Sequence, residues 1–417
     1  MQEVKEKEDK LGLRGNVKVI DMHFGTNNGE FLYKEYIGCI AYTVLIFTWA
    51  FSIFIPITLL YWFYVRNWSL FSLFSVVIII PIIFRVNDCV PLFLKKLCNL
   101  FTKNIHYWTG PARIIIEEPD LESNKKQLLC IHPHGIFGIG STYLPVSGII
   151  KEYFYLIVTE SLVWFQPIIN VVLNSTVKLR GASHTSFRRT MMKGEGPLLM
   201  FPGGFHETIL LNWGVDHIYV RKRFGFIKYC LKYNYSIRPV YVFGECLSFH
   251  QLKYFKKFRW FLNDFSLPSV VFCGETWWNP FLPVKNVPYL IVIGRPINCS
   301  YKAIPCCFQI PGCGRKNQND GNDNDNCNDS YQNYTVHDER GTNTTETQKN
   351  TYSRTCLTKH VSDKHPSREL IREFQSLYIE SLKRIYKEYS PYYMECYKEN
   401  PNIKRYLEYR LDELKID

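Results

Sequence analysis

The sequence opens without an apolar stretch. Residues 1–34 are polar and rich in Lys and Glu, so no cleavable secretory signal is expected and the segment reads as a flexible, polar cytosolic arm. Paired cysteine spacing is missing as well. The fourteen cysteines are scattered, and the cluster Cys306-Cys307 with Cys313 lacks a CxxC pair. A disulfide framework is therefore excluded, a zinc site there has little support, and the thiols are expected to be reduced and cytosol-facing. An excess of acidic residues is absent too. The formal net charge is +12, which argues for an anionic partner, either a membrane surface or a phosphate-bearing ligand.

Charge is nearly absent from one long stretch. Tyr36 to Val65 and Trp68 to Phe84 are almost wholly apolar, separated by Arg66 and Asn67. A spanning helix needs about 20 apolar residues. The first run is long enough and the second is marginal, so residues 35–86 are expected to form a transmembrane helical hairpin. Lys34 before it and Arg85, Lys95, Lys96 and Lys103 after it place both flanks in the cytosol. From Val90 to His106, Phe and Leu alternate with lysines at roughly helical spacing, as in a helix lying on anionic lipid or an ordinary surface helix.

Beyond Tyr107 the pattern changes to short apolar runs between helical segments. Runs at Arg113–Glu117, Gln127–Ile131, Phe154–Val158, Val171–Leu173, Pro197–Phe201, Arg238–Phe243 and Tyr289–Ile293 read as strands of an α/β sheet. Basic helices are expected over Tyr219–Tyr233 and Lys253–Phe261. Residues 87–304 form the expected catalytic domain. Residues 305–365 are Asn- and Asp-rich with almost nothing apolar, and read as a disordered insertion. In residues 366–417, Leu370, Phe374, Leu377, Tyr378, Leu382 and Tyr386 share one helical face.

Two strand ends carry chemistry. Leu128 to Ile131 runs into His132-Pro133-His134-Gly135. Pro133 cannot donate to a ladder, so the strand stops there, and Gly135 permits a sharp turn. The histidines allow three readings: an incidental turn, a metal site, or a general base, since imidazole titrates near neutrality. No Asp-His follows the pair, as many binuclear hydrolases would require. The same logic repeats at Pro202-Gly203-Gly204, followed by Phe205, His206 and Glu207. Consecutive glycines can aim N–H groups at an anion or oxyanion, although such a turn alone is common. Arg221, Lys222, Arg223 and Lys228 form either a solvated face or a phosphate site.

The ordered set His132-Pro133-His134-Gly135, Pro202-Gly203-Gly204 with Glu207, Arg223-Phe224-Gly225-Phe226, Pro239 to Glu245 and Gly294-Arg295-Pro296-Ile297 resembles the type-2 diacylglycerol acyltransferase family, which includes monoacylglycerol and wax-alcohol acyltransferases. The resemblance spans about Tyr36 to Tyr393. The chain departs from the family pattern at Phe205, where a small residue is usual, at Phe224, where a basic residue is common, and in the Asn-rich insertion. The resemblance implies a glycerophospholipid-acyltransferase-like α/β sheet with flanking helices behind the hairpin. It implies acyl transfer from acyl-CoA to a lipid hydroxyl, diacylglycerol first and monoacylglycerol or a fatty alcohol as alternatives.

On this reading His134 is the favoured base, with His132 structural or orienting and Glu207 orienting a histidine, contacting the acceptor hydroxyl or capping a helix. Pro202, Gly203, Gly204 and Gly135 shape the turn and oxyanion site. Arg221, Lys222, Arg223 and Lys228 bind acyl-CoA, and His206 is incidental. No metal and no cofactor beyond acyl-CoA as co-substrate are expected. The expected partners are acyl-CoA, the lipid alcohol and the bilayer, with no nucleic acid, and self-association into a homo-oligomer is left open. The expected location is the endoplasmic reticulum membrane, multi-pass, with lipid droplets as a second site and both termini cytosolic. The competing classes are a membrane-anchored metallohydrolase using His132, His134 and His206, and a non-catalytic lipid-binding protein.

Overall fold

A computed structural model of the chain describes residues 17–22, 30–52, 54–86, 92–119, 126–150, 154–159, 167–175, 177–252, 254–264, 269–274, 276, 278–299, 366–409 and 414–417. These lie in the unit formed by Met1–Ser300 and Lys364–Asp417; a second unit is Tyr301–Asp363. The insertion expected at 305–365 lies outside the described residues.

The strands in chain order are β1 (Lys18–Met22), β2 (Ala112–Ile116), β3 (Gln127–His132), β4 (Tyr155–Val158), β5 (Lys178–Gly181), β6 (Leu198–Met200), β7 (His217–Ile218), β8 (Ser236–Phe243), β9 (His250–Gln251), β10 (Phe272–Cys273), β11 (Tyr289–Ile293) and β12 (Lys415–Ile416). Eight of them form one mixed sheet in the order β1-β2-β11-β8-β3-β6-β4-β5. The block β8-β3-β6-β4-β5 is parallel throughout, while β11 runs antiparallel to β8. The central strands β3, β8 and β11 are buried along their whole length, which explains why they read as unbroken apolar runs rather than alternating ones.

Register places the chemistry. His132 stands opposite Tyr241 of β8. On the other side, Cys130 pairs with Met200 of β6, and two residues further on each chain brings His132 level with Pro202. The strand-end motifs thus leave the sheet at one edge, the carboxyl end of its parallel block, where open α/β sheets gather ligand-binding groups.

The N-terminal region corrects two expectations. Part of the supposed arm is an edge strand: β1 pairs antiparallel with β2, Asp21 bonds Arg113, and Val19, Ile20 and Met22 pack on the core. The transmembrane hairpin is replaced by four helices, α1 (Glu30–Ser52), α2 (Ile55–Tyr64), α3 (Trp68–Val86) and α4 (Leu92–Thr109). Among the described residues no helix is long and apolar enough to cross a membrane. The multi-pass localisation, and the two-span topology that put both termini in the cytosol, are therefore withdrawn.

The physical reason lies in where the apolar run breaks and what it covers. α2 starts anew with a proline in its first turn, and Arg66 takes a left-handed conformation (φ 56°) before α3. α1 is part of the globular unit. It buries Cys39, Ala41, Tyr42 and Ile46 in the core, pairs Glu35 with Lys285, and accepts a 2.9 Å bond at Thr43 from Asn279.

The remaining helices are α5 (Tyr143–Val146), α6 (Pro167–Asn174), α7 (His184–Met192), α8 (Phe205–Leu210), α9 (Gly225–Tyr233), α10 (Lys256–Asp264), α11 (Arg368–Cys396) and α12 (Pro401–Tyr409). Val171–Leu173, expected as a strand, lies in α6. The first basic helix begins at Gly225 rather than Tyr219, because Val220–Arg223 form a turn closed by Arg223 N–H on the Val220 carbonyl. The ribbon residues His217–Ile218, also missed, pair with Lys415–Ile416.

α11 starts at an N-cap, with Ser367 accepting from the Leu370 N–H. It buries Leu370, Phe374, Tyr378, Leu382 and Tyr386 as its periodicity requires. It is latched to the sheet by Glu117, which accepts bonds from Arg384 at 2.7 and 2.6 Å, from Tyr389 at 3.1 Å and from the Arg295 N–H at 3.1 Å. Arg384 is about one-third exposed, so solvent screening discounts the pair. Glu117→Ala is expected to destabilise the fold by about 2 kcal/mol, below the range for fully buried pairs. Chemical denaturation measures this; an unchanged midpoint would show that the latch contributes nothing.

Candidate active site

Glu207 is the hub of the site. It sits in the first turn of α8, just after the Pro202-Gly203-Gly204 turn, and is buried. Its Oε1 accepts from His132 Nδ1–H at 2.5 Å and from the Tyr219 N–H at 2.9 Å; its Oε2 accepts the His134 N–H at 2.7 Å. One carboxylate therefore fixes the end of β3, the turn beyond it and the loop after β7. The close approach needs Gly203: a Cβ there would overlap the Glu207 carboxyl group.

The two histidines differ. His132 is fully buried, and its Nε2 meets no hydrogen-bond partner among the described residues. Because Glu207 can only accept, the His132 proton is on Nδ1. His134 is half-buried and packs on Phe201 with ring centroids 4.6 Å apart. Its Nδ1–H donates to the Gly135 carbonyl at 3.1 Å. That bond sets the tautomer and leaves Nε2 as an acceptor. Burial lowers the His134 pKa from its ordinary value, against smaller raising effects from the Gly135 carbonyl and Glu207, so the ring is neutral at pH 7.

Glu245 stands beneath the same turn and was not singled out as a site residue from the sequence. It is buried, and accepts the Ile139 N–H at 3.0 Å and the Gly140 N–H at 2.8 Å. Gly135 has a left-handed backbone (φ 61°), and a Cβ on it would overlap the Glu245 carboxyl. The one sequence signal was the glycine–carboxylate pair closing β8, at the same sheet edge. Desolvation pushes the Glu245 pKa up to about 7, more than the two backbone bonds lower it. The hydroxyls of Tyr42, Tyr143 and Tyr289 also sense its charge.

A carboxyl with a raised folded pKa is most favourable to stability at pH below its unfolded value. That contribution is lost as pH rises to the folded pKa. Melting temperature is thus expected to fall between about pH 4.5 and 7, relative to a Glu245→Gln variant titrated in parallel. Parallel curves for the two proteins would refute the shift.

The remaining predicted residues are placed as follows. The Gly204 N–H donates to the Phe201 carbonyl at 3.1 Å, so it closes the turn rather than facing a ligand. Pro202 and Gly203 are buried in that turn. Arg221 and Lys222 are exposed at the turn before α9, and Lys228 is half-buried on α9. Arg223 folds back and donates from Nη2 to His206 Nδ1, with its guanidinium 5.5 Å from the Tyr219 ring centre. His206, read from the sequence as incidental, has a packing role here. It also accepts from Asn263 Nδ2 at 3.1 Å, stacks on Tyr219 at 4.7 Å and meets Trp260 at 4.8 Å. Among the described residues no three His, Cys, Asp or Glu side chains are arranged to hold a metal ion, and the His132–His134–His206 set of the hydrolase reading is not brought together.

Comparison with known proteins bears on this arrangement. The family model described as diacylglycerol acyltransferase matches residues 60–313. Diacylglycerol O-acyltransferase 2A of Umbelopsis ramanniana is 29% identical over 208 residues, covering 45% of this chain and 57% of the relative. 2-Acylglycerol O-acyltransferase 1 of Bos taurus is 26% identical over 214 residues, 47% and 63% of the two chains. Acyl-CoA wax alcohol acyltransferase 2 of Mus musculus is 24% identical over 203 residues, 44% and 60%. The chain spans about half the length of the curated relatives it matches. No solved structure matches it.

Proposed function

The chain belongs to the diacylglycerol acyltransferase family, and on that premise we propose that it transfers a fatty acyl group from acyl-CoA to the hydroxyl of a neutral-lipid acceptor, diacylglycerol first. The observation that carries this reading is the Glu207 carboxylate holding both His132 and the His134 backbone at the end of the central parallel strands. His134 Nε2 takes the proton of the acceptor hydroxyl, and the oxygen attacks the thioester carbonyl. The tetrahedral intermediate collapses, the C–S bond breaks, and the departing CoA thiolate recovers the proton from the His134 imidazolium. His132 acts through Glu207 and the backbone rather than on substrate, since its ring is fully buried.

CoA carries phosphates. Lys228 and the exposed Arg221 and Lys222 supply cations on and beside α9, while Arg223 is turned onto His206. The sheet order and the strand-end site support a glycerophospholipid-acyltransferase-like core. Monoacylglycerol and fatty alcohol remain alternative acceptors, matching the names of two relatives. The test supplies the purified chain with labelled oleoyl-CoA and diacylglycerol, monoacylglycerol or hexadecanol in turn. Labelled triacylglycerol is expected; a different labelled product reassigns the acceptor. No product from protein that melts cooperatively would overturn acyl transfer.

A further inference from the structure

α10 is built inside out. Its polar residues Arg259 and Asn263 are buried, at 5% and 6% exposure, while Phe258 and Phe261 of the same helix are 59% and 56% exposed. Arg259 is held inward by bonds from Nε to the Ser269 carbonyl and from Nη1 to the Leu252 carbonyl, both 2.7 Å. Asn263 is held by His206. The residues leading into the helix continue the exposed apolar face: Tyr254 is 75% and Phe255 82% exposed. Phe255 takes a left-handed backbone (φ 54°), which is uncommon for a bulky residue. Leu252 and Val271, joined by a 3.0 Å backbone bond, widen the patch. Lys256 and Lys257 stand exposed within it.

Scattered apolar residues on a surface need no explanation, but a contiguous aromatic patch marks an interaction site. Here the helix turns Arg259 and Asn263 inward and leaves its phenylalanines on the outer face, where the fold itself does not cover them. Aromatic rings with interleaved lysines fit the interfacial zone of a bilayer, where rings sit at headgroup level and each cation is attracted by anionic lipid. We propose that the surface formed by Leu252, Tyr254, Phe255, Lys256, Lys257 and Phe258 docks on an anionic lipid surface. This goes beyond acyl transfer and does not depend on it. The same helix touches the site, because Trp260 and Asn263 both contact His206, the residue before Glu207. Docking would therefore set the lipid surface beside the helix that carries the catalytic hub.

The test places a photo-cross-linking benzoylphenylalanine at position 258 of the full chain. Vesicles of phosphatidylcholine mixed with phosphatidylserine, and of phosphatidylcholine alone, are then added and irradiated. The proposal expects lipid adducts at position 258 with the mixed vesicles. It expects roughly a tenfold lower yield with phosphatidylcholine alone, or when Lys256→Ala and Lys257→Ala are introduced. Adducts to a second copy of the chain would overturn it in favour of a self-association interface. So would equal yields in the two vesicle types, or no adduct from protein whose melting is unchanged. Because the readout is the adduct at 258, binding through the exposed apolar residues of α2 and α3 does not mimic it.

Discussion

His134→Ala is expected to lower the acyl-transfer rate by about 10²- to 10⁴-fold, the contribution of a positioned general base, with little change in melting temperature. The small structural cost follows from its place: the ring is half-buried and its Nδ1 bonds only the neighbouring Gly135 carbonyl among the described residues. The chemical cost is large because the residue presents an acceptor Nε2 at the mouth of the strand. The pH profile supplies a second, independent readout. A base works in its neutral form, and burial lowers this imidazole from its ordinary value near 6.5. The acid limb of kcat/KM is therefore expected below pH 6.5, with a flat rate through neutrality. An acid limb above pH 6.5, or a His134→Ala enzyme with near-normal turnover, would move the base elsewhere, and His132 would be the first candidate.

Glu207→Gln is expected to reduce turnover by roughly 10²-fold while leaving the protein folded. The carboxylate accepts three bonds, two at Oε1 and one at Oε2. An amide has one oxygen. Turned one way, its NH₂ confronts the His134 N–H; turned the other, it confronts both His132 Nδ1–H and the Tyr219 N–H. A buried donor left unmade costs about 1–3 kcal/mol, which converts to about one or two orders of magnitude when it displaces a reacting group. Glu207→Ala is the harsher change, because all three donors lose their acceptor in a buried space, and the melting temperature is expected to drop with the activity. If Glu207→Gln kept full turnover, the carboxylate would be a structural brace and no part of catalysis. Double-mutant analysis with His134→Ala separates the cases: a residue acting through His134 adds little once the imidazole is gone.

Much of the sheet was legible because buried parallel strands are continuous apolar runs closed by Pro or Gly, a local property. β3, β6, β8 and β11 fall on runs of this kind, while β2 and β4 were legible as apolar runs that end in polar residues. The strand-end motifs were legible for the same reason, since Pro133 and Gly135, or Pro202 and Gly203, stop a strand whatever surrounds them. β1 was not legible. Its five residues carry a Lys and an Asp, and what makes them a strand is pairing with β2 some 90 residues on.

The apolar N-terminal run shows the limit from the other side. Hydropathy registers that a segment avoids water, but not whether lipid or protein shields it. α1 is shielded in part by protein, through Tyr42, Ile46 and the Glu35–Lys285 pair, and the run is divided into separate helices, with a new start at residue 55 and a left-handed turn at Arg66. What the sequence determined by itself was the positions of six of the sheet's strands, the two strand-end turns with His132, His134 and Glu207, and the family those motifs resemble. Only the tertiary structure decided that Glu207 holds the His132 ring and the His134 backbone together, that Glu245 lies beneath Gly135, and that His206 joins α8 to α10. Those contacts link residues dozens to more than a hundred positions apart. The physical reason is that strand endings follow from local backbone chemistry, whereas a buried carboxylate finds its donors only after the strands have aligned.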